Sequence, residues 1–62
     1  MRFDNAFLTT NNNVGMQFVN KRKEVLTVWD DGKRLHFSEG FSKADVEKAI
    51  HFYNENKGKF HG

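Results

Sequence analysis

The chain has 62 residues, no cysteine and no proline, and its ten Lys and Arg against eight Asp and Glu leave a net charge of +2. A chain of this size forms one domain that buries only about 60% of its unfolded surface, so its stability margin is thin. Without cysteine there is no disulfide, no thiol chemistry and no Cys-based zinc site. Apolar runs of two or three residues exclude a membrane-spanning segment, and Met1-Arg2-Phe3-Asp4-Asn5 lacks the apolar stretch of a signal peptide. A soluble, cytoplasmic protein is expected.

Residues 1–14 admit an extra edge strand: Phe3, Phe7 and Leu8 are apolar but their periodicity is broken, and Asn11-Asn12-Asn13 reads as a loop. Residues 15–20 read as a strand, followed by the basic link Lys21-Arg22-Lys23. Residues 24–30 and 33–38 are β-rich runs on either side of Asp31-Gly32, a strong hairpin signal. A two-residue turn there pairs Asp30 with Lys33, Trp29 with Arg34, Val28 with Leu35, Thr27 with His36 and Leu26 with Phe37. Over residues 42–57, Val46, Ala49, Ile50 and Tyr53 recur at helical spacing. Ser42 is placed to cap that helix, Asp45 to complete a variant capping box, Phe41 to pack on Val46, and Gly58 to stop it. Residues 58–62 form a tail.

Strand alternation divides these side chains between two faces. Leu26, Val28, Leu35 and Phe37 share one face, joined by Met16 and Phe18, and the helix stripe covers them. Phe18, Leu26, Val28, Leu35, Phe37, Val46, Ile50 and Tyr53 should be buried together. The expected fold is α+β: residues 15–38 form a three-stranded antiparallel β-meander, extended to four if residues 1–10 pair, packed against one C-terminal α-helix.

Catalytic chemistry has no candidate site. His36, His51 and His61 lie on a strand, a helix and a tail without the close spacing of zinc ligands, and solvated histidines are the plain reading. Ser and Thr fall at caps or in strands, the glycines are isolated, and the carboxylates near turns are explained by turn and capping preferences. Neither cofactor nor metal is expected, and the protein reads as a binding module, not an enzyme.

The second sheet face carries the binding candidates. Trp29 is expected opposite Arg34, with Thr27, His36 and Gln17 nearby and Lys21, Arg22, Lys23 and Lys33 at the hairpin ends. Arginine can pair with a guanine edge, Thr and Gln can reach bases or phosphates, and lysines can hold the backbone beside a groove, which a ribbon of strands can enter.

The stretch from Asp31-Gly32-Lys33-Arg34 through Phe37-Ser38-Glu39-Gly40-Phe41 into the Lys- and Ala-containing helix to Ile50 resembles the amino-terminal arm-type DNA-binding domains of phage and transposon tyrosine-recombinase integrases. The likeness spans about residues 24–53. It implies three antiparallel strands on one helix, with the sheet face inserted into the major groove of duplex DNA, as in plant ethylene-response-factor domains. It also implies DNA contacts at Trp29, Arg34 and His36, with Lys21, Arg22, Lys23 and Lys33 on phosphates. No catalytic recombinase segment accompanies these residues, so recombinase activity does not carry over. Two other readings stand beside this one. Trp29 and Val25 could simply shield a solvated sheet, with a Trp29–Arg34 contact adding stability. Alternatively, an exposed apolar cluster around Trp29 marks a small phage- or plasmid-type protein that inhibits or adapts a host protein through that face or a sheet edge.

Overall fold

The computed structural model describes residues 1–60 and consists of four strands, β1 (Arg2–Leu8), β2 (Val14–Val19), β3 (Val25–Asp30) and β4 (Leu35–Phe37), followed by helix α1 (Lys43–Asn56) and a short 3₁₀ turn, Lys57–Lys59. The strands pair antiparallel in the order β1-β2-β3-β4, so this is an α+β meander, and residues 1–10 supply its fourth strand. The broken periodicity of β1 has a structural cause. Its register against β2 slips between Phe3 and Asn5, leaving Asp4 as a bulge. An extra residue reverses the alternation of all that follows, which puts Phe3 and Ala6, three apart, on the same face against Phe18 and Met16.

Met16 pairs with Val28 and Phe18 with Leu26, the register expected from alternation. These four side chains are almost wholly buried and, with Val14, Val46, Ala49 and Tyr53, make the core. Phe3 packs beside it, stacked on Phe52 with centroids 5.2 Å apart and meeting Phe18 edge-on at 6.0 Å, while Phe60 closes over Phe3 at 5.7 Å. Both ends of the described chain are thereby tied to the domain. The Tyr53 hydroxyl donates a 2.6 Å hydrogen bond to the Val14 carbonyl. Burial, and behind it the Asp30 carboxylate, raises the pKa of this hydroxyl, so it stays a donor.

The helix begins as its sequence indicates: Ser42 is the N-cap and its Oγ accepts from the Asp45 amide at 3.2 Å. Its end differs from expectation. Gly58 does not take the left-handed conformation of a stop signal; the chain tightens instead into the 3₁₀ turn through Lys57–Lys59, closed by Phe60 N–H to Lys57 O at 3.2 Å.

The β3–β4 hairpin also departs from the expected register. The loop holds four residues, Asp31 to Arg34, and the pairs are Val28 with Phe37, Trp29 with His36 and Asp30 with Leu35. A shift of two keeps every side chain on its expected face but slides β4 along β3. Phe37, expected in the core, is 45% exposed, while Leu35 and Ile50 pack at the core's margin, partly buried. The cause is position: β4 is a three-residue edge strand, and α1 makes its main approach to β3. Phe37→Ala should therefore cost about 1 kcal/mol, well below the roughly 3–5 kcal/mol of a buried phenylalanine. Tyr53→Phe, which strands the Val14 carbonyl, should cost about 1–3 kcal/mol. Chemical denaturation of the two variants should rank them in that order.

Candidate sheet-face binding site

The first two hairpins share one construction, a type I turn closed by a residue at positive φ. At Thr9–Asn13 that residue is Asn12 (φ 62°), and Thr9 Oγ1 accepts from the Asn13 amide at 3.1 Å. At Asn20–Glu24 it is Lys23 (φ 64°), and Asn20 Oδ1 accepts from the Arg22 and Glu24 amides, both at 2.9 Å. Asn20 thus fixes a tight turn that displays Lys21, Arg22 and Lys23, all exposed, at one end of the sheet.

At the other end, Asp31 organises the β3–β4 loop. Its Oδ1 accepts from the Lys33 and Arg34 amides, each at 2.8 Å, and its Oδ2 takes the His36 Nε2 hydrogen at 2.6 Å. Gly32 can occupy the loop because it adopts φ +91°. The His36 hydrogen bond, followed by those from Arg34 and Lys33, lowers the Asp31 pKa far below the ordinary carboxylate range. Lys33 and Arg34 lie in this loop and are exposed.

Three rows of side chains cross the outward face between these ends. The first runs Phe7, Gly15, Trp29, His36; the second Asn5, Gln17, Thr27, Ser38; the third Arg2, Val19, Val25. In the first row the Trp29 and His36 rings stack, with centroids 5.2 Å apart and planes 15° apart. Gly15 is buried although it lies on this face, because the Phe7 ring lies over it in the space a Cβ would take. In the second row Ser38 Oγ accepts from the Thr27 amide at 3.0 Å. A shallow depression of about 520 Å³ opens between these rows, lined by Phe7, Thr9, Thr27, Trp29 and Ser38.

Of the residues expected to bind, Gln17, Thr27, Trp29 and His36 do share the outward face, and Lys21, Arg22, Lys23 and Lys33 do lie at its ends. Arg34 is a correction. It sits in the loop, and its expected place opposite Trp29 belongs to His36; Thr27 correspondingly faces Ser38. The hairpin closes between Asp31 and Arg34, where the Asp31 N–H donates to Arg34 O at 3.2 Å and the Asp31 side chain accepts from the Lys33 and Arg34 amides, and this moves each β4 residue two places along β3. Phe7, Asn5 and Thr9 were not anticipated, since the bulge at Asp4 hides the alternation of β1; Gly15 within a strand was the available hint of a close ring. None of the three rows contains a carboxylate; Asp4 stands in the bulge beside Asn5, and Asp31 is engaged as described.

A second concavity, about 620 Å³, lies away from this face between α1 and β1, lined by Met1, Phe3 and Phe52 together with Glu47, Lys48, His51 and Glu55. His51 faces Glu55 at 3.6 Å on exposed helix surface, and no group of three His, Cys, Asp or Glu side chains among the described residues could hold a metal ion. His61 lies outside the described residues. No helix among them is long and apolar enough to cross a membrane.

The Asp31 contacts carry a testable pH dependence. Since the folded-state pKa lies below the unfolded one, the stabilisation is complete above about pH 4 and is lost as pH falls toward the folded value. Asp31→Asn should lower the thermal midpoint at neutral pH, and the gap between variant and wild type should narrow as pH drops below about 4. Comparison of the chain with known protein families, curated proteins and solved structures finds no significant match in any of the three.

Proposed function

We propose that this protein is a small non-enzymatic DNA-binding module that engages its ligand through the outward face of the sheet. The observation that carries this reading is the distribution of charge. Three rows without a carboxylate are flanked by Lys21, Arg22 and Lys23 at one end and Lys33 and Arg34 at the other, about 20 Å apart at the rise of a six-residue strand. Of the carboxylates that offset these charges in the total of +2, Asp45, Glu47 and Glu55 lie on the helix and Asp4, Asp30 and Glu39 in the bulge, at a strand end and in a loop; the two that share the cationic turns are engaged there, Glu24 by the Asn20 side-chain amide and Asp31 by His36 and the Lys33 and Arg34 amides. A polyanion can thus lie across the sheet and meet cations at both ends, releasing counterions as it binds. Arg34, held in the loop, acts on phosphates in this reading and does not read a base.

A second reading has its own observation. The 620 Å³ groove beside Phe3 and Phe52, next to the unpaired edge of β1, offers an apolar cleft bordered by Glu47, Lys48, His51 and Glu55, suited to an amphipathic segment of a host protein. The salt response separates the two. Affinity for duplex or single-stranded DNA should fall steeply with salt, and both Arg22→Ala and Arg34→Ala should lower the salt slope by about one unit while weakening all sequences alike. Undetectable DNA binding at about 50 mM salt would remove the nucleic-acid reading.

A further inference from the structure

The aromatic row has a shape that fits one form of DNA better than the other. A base pair in a duplex groove presents its edge, and edges are read by side chains long enough to reach inward. Among the long polar side chains, Arg34 lies off the face in the loop, and Arg2 and Gln17 lie on it but do not line the depression. What borders the depression is flat or short: the rings of Phe7 and Trp29, and the side chains of Thr9, Thr27 and Ser38. Phe7 is laid over Gly15 and Trp29 is braced against His36, so neither ring has to be ordered when a ligand arrives. Flat rings meet base faces, and base faces are accessible only where the strand is unpaired.

Resting on the nucleic-acid reading above, we propose that the ligand of this face is single-stranded DNA, with a base stacked in the depression formed by Phe7, Trp29, Thr9, Thr27 and Ser38. Charge complementarity supports the polyanion: the strand's phosphates run toward the cationic turns at the two ends of the sheet. The commitment to DNA over RNA comes from the reading above, and the oligouridylate arm of the test decides it. Thr9 Oγ1 and Ser38 Oγ already accept backbone amides, and the remaining lining is largely aromatic. Both hydroxyls keep a proton to donate to a base carbonyl or a phosphate oxygen.

The test is a titration of the full chain with an oligodeoxythymidylate of about twelve nucleotides, within the size such grooves occupy, beside a duplex and an oligouridylate of the same length. Binding is followed by Trp29 fluorescence and by the anisotropy of a labelled strand. Single-stranded DNA should quench Trp29 and bind at least tenfold more tightly than either competitor. Phe7→Leu keeps an apolar cover over Gly15 but removes the π-face, and should weaken single-stranded binding about tenfold with the thermal midpoint nearly unchanged. Trp29→Phe should retain most of the affinity that Trp29→Ala loses. Duplex binding equal to or tighter than single-stranded binding, without quenching, would overturn the stacking proposal while leaving a nucleic-acid face in place. Oligouridylate binding as tightly as oligothymidylate would overturn the commitment to DNA, and no binding to any of the three would overturn the face itself.

Discussion

The apolar contact between the two middle strands and α1 is the constraint on which the rest of the structure depends. Met16, Phe18, Leu26 and Val28 on the strands and Val46, Ala49 and Tyr53 on the helix are buried nearly completely, and a chain of 62 residues has little other apolar area to bury. The Tyr53 hydroxyl bond to Val14 adds direction to that contact, fixing the C-terminal end of the helix over β2. With the inner face of the sheet committed to the core, its outer face is left without a covering layer.

The edges of the sheet follow from the same economy. One helix covers two strands well, so β1 and β4 have to be managed differently. β4 is three residues long, and β1, seven residues long, is broken by the Asp4 bulge; short strands and bulges both discourage pairing with a second sheet. The bulge has a further effect. It turns Phe3 inward to the Phe18, Phe52 and Phe60 rings and, four residues later, turns Phe7 outward onto Gly15. One inserted residue thus supplies both an anchor for the core and a ring for the outer face.

Asp31 plays a comparable double part. By accepting the Lys33 and Arg34 amides it holds the β3–β4 loop in shape, and by accepting from His36 it holds the imidazole parallel to Trp29. The exposed cations and the aromatic stack are therefore fixed by one carboxylate. Asn20 does the same work at the opposite end for Lys21, Arg22 and Lys23.

Much of this could be read from the sequence, because the deciding interactions are local or periodic. The spacing of Val46, Ala49 and Tyr53, the Ser42 cap, and the alternation through Met16, Phe18, Leu26 and Val28 determined the helix, the meander, and which face of β2 and β3 is buried. Gln17, Thr27, Trp29 and His36 fell on the outward face for the same reason. Three features were decided only by tertiary structure. The length of the β3–β4 loop depended on where the Asp31 side chain found its hydrogen bonds, and that moved Arg34 off the face and left Phe37 half exposed. The place of β1 depended on a bulge that no repeating pattern announces. The coverage of β4 depended on where a single helix could lie, and side-chain periodicity says which way a residue points but not whether anything stands above it.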